Sequence, residues 1–289
     1  MSILTPKSKS RENFYKITDL QNGIKWLEGQ SHYEKGLITL FNEADNDNDI
    51  ELIRLLLERV EHFTADNMLD SLEVSLNEIL KKLEPKKTFI ISTSNGTDSD
   101  GGAAWLYDMK YILAGIGGWS ENNLKASLHD NYQKIVKYNI ENVIIFDDFI
   151  GTGKTIVNKT NEFIERLNDY NISNLNISIL SLAGMDFGVT NAKSQLGIEI
   201  VCPKLIKKGI SDYTDAEIAR EQKKIMLSLE AKLNKKNGGM RLTNFSLGYK
   251  KSEALYSVYR KNCPNNVFPI FWWPRSNDGE FRVPLFRRL

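Results

Sequence analysis

Four consecutive apolar residues, Val143, Ile144, Ile145 and Phe146, run straight into two carboxylates, Asp147 and Asp148, and this stretch constrains the chain more than any other. An apolar run without alternation predicts a strand buried on both faces, as in a parallel sheet. Phe149 and Ile150 follow, then Gly151-Thr152-Gly153-Lys154-Thr155, then the helical spacing of Ile156, Val157, Thr160, Phe163, Ile164 and Leu167. Ligands of open α/β sheets gather outside the carboxyl ends of the strands. A glycine-containing turn that opens a helix offers backbone N–H groups and the positive end of a helix dipole. Residues 151–155 are therefore expected to hold a phosphate. Asp147 and Asp148 are expected to meet the hydroxyls of its sugar, or a metal ion that the sugar phosphate carries.

Gly153-Lys154-Thr155 also evokes the P-loop of nucleotide hydrolases. That motif requires glycine at position 148, and the aspartate there would aim negative charge at the phosphates. A structural alternative is a plain buried strand followed by a helix capped by Asp148 or Thr152. The order of an apolar strand, two acids, two apolar residues and a small turn with Thr and Gly resembles the phosphoribosyl-diphosphate (PRPP) loop of type I phosphoribosyltransferases. The resemblance implies that Asp147 and Asp148 bind the ribose hydroxyls, with Mg²⁺ held indirectly beside them. It implies that Gly151, Thr152, Gly153, Lys154 and Thr155 bind the 5-phosphate. Phe149, where a smaller aliphatic is usual, and Gly151, where Ser, Thr or Ala is usual, depart from that pattern.

Strands alternating with helices between residues 88 and 201 predict an α/β fold with a doubly wound parallel sheet, of the type I phosphoribosyltransferase kind by resemblance. Four segments are expected. These are a disordered tail (1–12), a helical block packed on the core (13–85), the α/β core (86–210) and a C-terminal extension (211–289) that is basic, helical and aromatic. In the helical block, Asp49 is expected to cap a helix from Ile50 to His62, Thr64 or Asp66 the next one, and Pro85 to stop it. The core should contain strands at 88–92, 143–146, 177–183 and 198–201, with a short helix around 123–137. An amphipathic helix is expected over 213–236.

The strand at 88–92 leads into a small polar loop. Ser94, Asn95 and Gly96 occupy the place of the pyrophosphate-binding loop in type I phosphoribosyltransferases. Asp98 and Asp100 would repel pyrophosphate directly; they can act through Mg²⁺ or cap the helix that follows.

No run of about eighteen apolar residues occurs, so no membrane span is expected. The N-terminus is polar and basic without an apolar run, unlike a signal peptide. Two cysteines without metal-ligand spacing, Cys202 and Cys263, predict free thiols and a cytoplasmic location. Charge is distributed unevenly. Residues 200–289 hold 18 Lys and Arg against 8 Asp and Glu, whereas the rest hold 20 against 29. The basic third can face nucleic acid, a polyphosphate or an acidic partner, or dock on the acidic remainder. Phe268, Phe271, Trp272, Trp273 and Phe281 either form a stacking surface for bases or fill the edge of the sheet.

A more specific resemblance rests on Trp26-Leu27, Leu55-Leu56-Leu57, Asp147-Asp148-Phe149-Ile150-Gly151-Thr152-Gly153, Pro264-Asn265-Asn266, Phe271-Trp272 and Pro284-Leu285-Phe286-Arg287-Arg288. Over about residues 20–289 the chain is similar to the phosphoribosyltransferase-like PRTase-CE family of bacterial conflict systems. That resemblance implies an antiphage effector, in some cases associated with retrons, that binds PRPP or a related nucleotide with Mg²⁺. It also implies a protein or ribonucleoprotein partner from a defence operon. Chemistry at the anomeric carbon and non-catalytic sensing of PRPP are both compatible with these residues.

Overall fold

In a computed structural model, residues 8–94, 101–129 and 131–288 are described. The elements in chain order are α1 (Ser8–Gly23), α2 (Glu34–Glu43), α3 (Asp47–Glu58), β1 (Glu61–Phe63), α4 (Ala65–Leu80), β2 (Thr88–Ser92) and α5 (Gly101–Ala114). Then come β3 (Leu124–Lys125), α6 (Tyr132–Lys137), β4 (Asn142–Ile150), α7 (Lys154–Asp169), β5 (Asn176–Met185), α8 (Asp186–Leu196), β6 (Ile200–Val201) and β7 (Lys204–Ile206). The chain ends with α9 (Ala216–Glu230), the hairpin β8 (Lys236–Asn237) and β9 (Met240–Arg241), and β10 (Tyr256–Val258). The protein is α/β, built on a six-stranded sheet whose pairings are all parallel.

Two compact units share the chain: residues 63–206 form one, and residues 1–62 with 207–289 form the other. These limits differ from the segments expected at 85/86 and 210/211. Helix α4 belongs with the sheet and lies against β5. The helices before it group with the C-terminal residues instead.

The sheet unit has strand order β3-β2-β4-β5-β6, with β7 pairing farther along β5. Helices α6, α7 and α8 cover one face. Phe89, Ile91, Val143, Ile145 and Ile179 of the strands meet Tyr132, Ile135, Ile156, Phe163, Leu167 and Val189 there. Helix α5 packs against β2 and β4 outside this cluster. Strand-facing residues from both sides of β4, Val143 through Phe146, are fully buried. That double burial is why this strand reads as an unbroken apolar run.

The other unit buries Leu27, Leu37, Leu40, Phe41, Ile53, Leu56 and Leu57 with Met226, Leu229, Phe268, Phe271, Trp272 and Trp273. Four of the five clustered aromatics are thus core, at most 1% exposed, and offer no stacking surface; Phe281 is 70% exposed. Trp26 donates from Nε1 to the Leu57 carbonyl at 3.0 Å. Arg282, itself buried, binds both carboxylate oxygens of Glu43 at 2.8 Å and donates to the carbonyls of Trp273 and Ile270. Gly248 (φ +79°) admits the Asn266 carbonyl, which would lie 2.0 Å from a Cβ. Pro264-Asn265-Asn266 is therefore a packing element.

Several boundaries differ from expectation. Helix α1 starts at Ser8, inside the stretch read as a tail. Asn46 caps α3 by accepting from the Asp49 N–H; Asp49 lies in the first turn and accepts the Asp45 N–H instead. Thr64 caps α4 as expected. Around 123–137 the chain forms a single 3₁₀ turn, the short strand β3 and α6 in place of one helix. Helix α9 spans only Ala216–Glu230, and Gly238 (φ +55°) serves the β8–β9 turn.

Candidate phosphate and ribose site

The sheet order places one reversal of direction between β2 and β4. From β2 the chain crosses to β3 on one side, then returns to β4 on the other. Such a switch point opens a crevice at the carboxyl ends of the two strands, because the loops that leave them diverge. In this chain those ends carry Thr93 and Ser94 beyond β2, and Asp147 and Asp148 in β4.

Three hydrogen bonds meet at Thr93. Its N–H donates to the Phe146 carbonyl at 2.9 Å, continuing the β2–β4 ladder beyond Ser92. Its hydroxyl donates to Asp147 Oδ1 at 3.0 Å. Its carbonyl accepts from the Lys159 ammonium on α7. Alternation explains the first pair. Phe89 and Ile91 of β2, and Val143 and Ile145 of β4, face the α6–α8 layer, so Thr93 and Asp147 come next on that face. Lys159 is half-buried, and places a positive charge beside the same junction.

Asp148 follows Ile144 and Phe146 and projects to the opposite face. A sugar meeting both carboxylates must straddle the end of β4. Strand β4 runs on through Ile150, with Phe149 opposite Ala183 and Ile150 opposite Gly184 in β5. Both acids are consequently held within a paired strand. They are half-buried.

The turn 151–153 is gripped by α8. A Cβ on Gly188 would lie 1.9 Å from the Gly151 carbonyl oxygen, so only glycine permits this approach. A Cβ on Gly153 would lie 2.5 Å from the Gly188 carbonyl, and Gly153 has φ +81°. Asn191 of α8 donates to the Thr152 carbonyl at 3.2 Å. Gly153 takes the cap position of α7 in a left-handed conformation, so neither Asp148 nor Thr152 caps this helix. The first turn of α7 contains no acidic residue. Lys154 and Thr155 open the helix and are exposed, while Gly151 and Thr152 are half-buried. An α-helix start without a capping side chain, carrying an exposed lysine, favours an anion.

Ser94 is buried next to this junction, and its N–H donates to Ser92 Oγ at 3.1 Å. Gly102 at the start of α5 approaches the same hydroxyl; a Cβ there would lie 2.7 Å from it. Asn95 and Gly96, and with them Asp98 and Asp100, lie outside the described residues. The structure thus gathers Asp147, Asp148, Gly151, Thr152, Gly153, Lys154, Thr155 and Ser94 at the ends of two adjacent strands. Sequence reasoning missed Thr93, Lys159, Gly188 and Asn191. The first follows from strand alternation, but the others depend on which helix lies beside the turn.

Among the described residues, no three His, Cys, Asp or Glu side chains gather as a metal cage. The carboxylates fit a cation only as one shared with ligand oxygens. Cys202 and Cys263 are free, and burial pushes both thiols up to about 12, which keeps them protonated. Among the described residues no helix is long and apolar enough to cross a membrane.

Comparison with known proteins gives one family. Searches of curated proteins and of solved structures return no match. The family model named PRTase-CE matches residues 25–288, nearly the whole chain, and its name denotes a phosphoribosyltransferase-like group. The parallel sheet and its strand-end site accord with that match, and the chain belongs to the PRTase-CE family.

Proposed function

We propose that the protein binds PRPP, or a closely related ribose phosphate or nucleotide, at the carboxyl ends of β2 and β4. The observation that carries this is the junction of Thr93, Asp147 and Lys159 at the switch point, next to the uncapped start of α7. Asp147 and Asp148 accept from the 2- and 3-hydroxyls of the ribose across the end of β4. The N–H groups of residues 151–155 and the hydroxyls of Thr152 and Thr155 hold the 5-phosphate. Ser94 faces the diphosphate, with Lys159 supplying positive charge nearby.

Asp147 and Asp148 would hold Mg²⁺ indirectly, through ligand oxygens, and the ion would supply positive charge to offset that of a diphosphate leaving group. The chain's own contribution is orientation and charge placement. Asp147, held by the Thr93 hydroxyl, fixes the sugar, and the glycine turn fixes its phosphate. Bond cleavage at an anomeric carbon passes through a cationic sugar, which two nearby carboxylates stabilise. No separate nucleophile is required.

The biological setting we infer is that of an effector in bacterial antiphage defence, in a retron-type operon in some genomes; its support is membership of the PRTase-CE family. Incubation with PRPP, Mg²⁺ and a mixture of nucleobases, followed by product analysis, tests the chemistry. Release of diphosphate that depends on Asp147 and Asp148 is expected. Tight binding of PRPP with no product from any base or water would instead assign a sensor.

A further inference from the structure

The unit formed by residues 1–62 and 207–289 carries a basic ribbon that the strand-end site does not use. In the β8–β9 hairpin, Lys236 stands directly opposite Arg241, and Asn237 opposite Met240. The Leu242 N–H donates to the Lys235 carbonyl at 3.0 Å, so the Lys236–Arg241 pair falls between hydrogen-bonded pairs. Side chains approach most closely at that kind of pair, and like charges directly opposite each other are destabilising. Lys236 and Arg241 are exposed, whereas Asn237 and Met240 are half-buried, so both cations stand on the outer face of the ribbon. A Cβ on Gly238 or Gly239 would have nothing within 4 Å, which leaves the tip clear of the fold.

A second turn is joined to this ribbon through Asn234. Its N–H donates to the Arg275 carbonyl at 3.0 Å, and its side chain accepts the Lys236 N–H at 2.9 Å. Arg275 stands opposite Phe281 across that turn. This pair also lies between hydrogen bonds, from the Ser276 N–H to the Glu280 carbonyl and from the Arg282 N–H to the Pro274 carbonyl. Phe281 is 70% exposed, and among the described residues no ring or cation lies over it. Arg275 uses one guanidinium donor on the Gly279 carbonyl at 2.9 Å. Lys235, Lys236, Arg241 and Arg275 are all exposed, and among the described residues none has a carboxylate within ion-pair distance. The acids of the second turn are Asp278 and Glu280. Asp278 is engaged by the Ser276 hydroxyl at 2.6 Å and the Glu280 N–H at 3.0 Å. The less exposed cations nearby are matched, Lys232 with Asp45 at 2.6 Å and Arg282 with Glu43 at 2.8 Å.

We propose that this surface binds a single-stranded nucleic acid. Lys236 and Arg241 grip one phosphate from the two strands of the ribbon, and a shared anion offsets their mutual repulsion. Lys235 and Arg275 offer charge to the neighbouring phosphates. Phe281 gives one base a ring to stack on, a contact open to any base in a single strand and closed to bases already stacked in a duplex. A ribbon whose strands hold two residues each is also too short to fill a major groove. The surface needs no ligand at the strand ends.

The test uses the full chain and fluorescence anisotropy with two probes, a ten-nucleotide oligouridylate and a ten-nucleotide oligothymidylate. Asp147→Asn with Asp148→Asn serves as the background, so failure of the PRPP assignment does not affect this outcome. Binding of at least one probe is expected there, with affinity falling as salt rises. Lys236→Gln with Arg241→Gln should weaken binding tenfold or more and flatten its salt dependence. Phe281→Leu should weaken it about fivefold or more with the salt dependence unchanged. Arg241→Glu separates binding from folding: it sets a carboxylate opposite Lys236, so Tm should hold or rise while affinity falls. Binding of neither probe, or equal binding by the double variant or by Phe281→Leu, would overturn the proposal. So would a lowered Tm in Arg241→Glu accompanying its loss of affinity, which would assign the pair to folding. Competition by a duplex of the same length, by decaglutamate or by phosphatidylserine vesicles that matches the unlabelled strand would assign another partner and overturn it too.

Discussion

The hydroxyl of Thr93 donates to Asp147 Oδ1 at 3.0 Å, tying the residue after β2 to the first acid of β4. Two strands adjacent in the sheet but 54 residues apart in sequence thereby fix one carboxylate at the switch point. The Lys159 ammonium on the Thr93 carbonyl extends the tie to α7.

Thr93→Val keeps the branched shape and removes only the hydroxyl. A hydrogen bond to a charged group contributes about 1.5–3 kcal/mol. PRPP affinity should fall about tenfold, and Tm should fall by a few degrees as the bond is lost. Lys159→Met should weaken PRPP more than ribose 5-phosphate, because its charge is assigned to the diphosphate end. Calorimetry with both ligands checks this; equal losses for the two would assign Lys159 to folding alone.

Gly188→Ala places a methyl group 1.9 Å from the Gly151 carbonyl oxygen. The turn must move away from α8, at a cost of about 1–3 kcal/mol by the usual scale of overpacking. Affinity for PRPP should fall by more than tenfold, because the phosphate N–H groups move with the turn. Gly117→Ala, with nothing within 4 Å of its Cβ, is the control and should change neither property. Urea denaturation and calorimetry measure both effects. Normal affinity in Gly188→Ala would detach the turn from the phosphate.

Two groups in the other unit oppose each other in pH dependence. Burial raises the Glu230 carboxyl to about 7, although Ser246 and the Leu247 N–H donate to it. The folded state then holds a proton that the unfolded state releases near 4.5, so stability falls as pH rises from about 4.5 to 7. At 1.36 kcal/mol per unit the loss is about 3 kcal/mol. His62 behaves oppositely. Burial, then the nearby His32, lowers it to about 4, so its contribution is lost as pH falls from 6.5 towards 4. Between about 4.5 and 6.5 the two slopes oppose. Glu230→Gln should unmask stability that rises with pH across this window. It should also exceed wild type above pH 7. Parallel wild-type and variant profiles from urea denaturation would contradict the assignment.

The apolar run at 143–146 made the central strand and its partner sheet legible, because double burial leaves an unmistakable pattern. Its length was not legible: Asp147 and Asp148 look like strand breakers, yet pairing with β5 carries β4 on to Ile150. The short edge strands β3 and β7 hold two and three residues and carry no periodicity to detect. The turn at 151–153 was visible from its glycines. Its conformation depends on Gly188 in α8, a contact between segments 35 residues apart that spacing alone cannot reveal. The aromatic stretch of Phe268, Phe271, Trp272 and Trp273 had two readings, a stacking surface for bases or a filling for the edge of the sheet, and it is neither, because it belongs to the unit of residues 1–62 and 207–289 and is buried there. Burial of Trp272 and Trp273 decides for the core.

Calorimetric titration of the full chain with PRPP, with and without Mg²⁺, beside the Asp147→Asn, Asp148→Asn double variant, tests the central claim most directly. Saturable binding that requires Mg²⁺ and is lost in the double variant, while its Tm stays at the wild-type value, is the predicted result. Equal binding by the wild type and the variant, or no binding by the wild type at all, would contradict it.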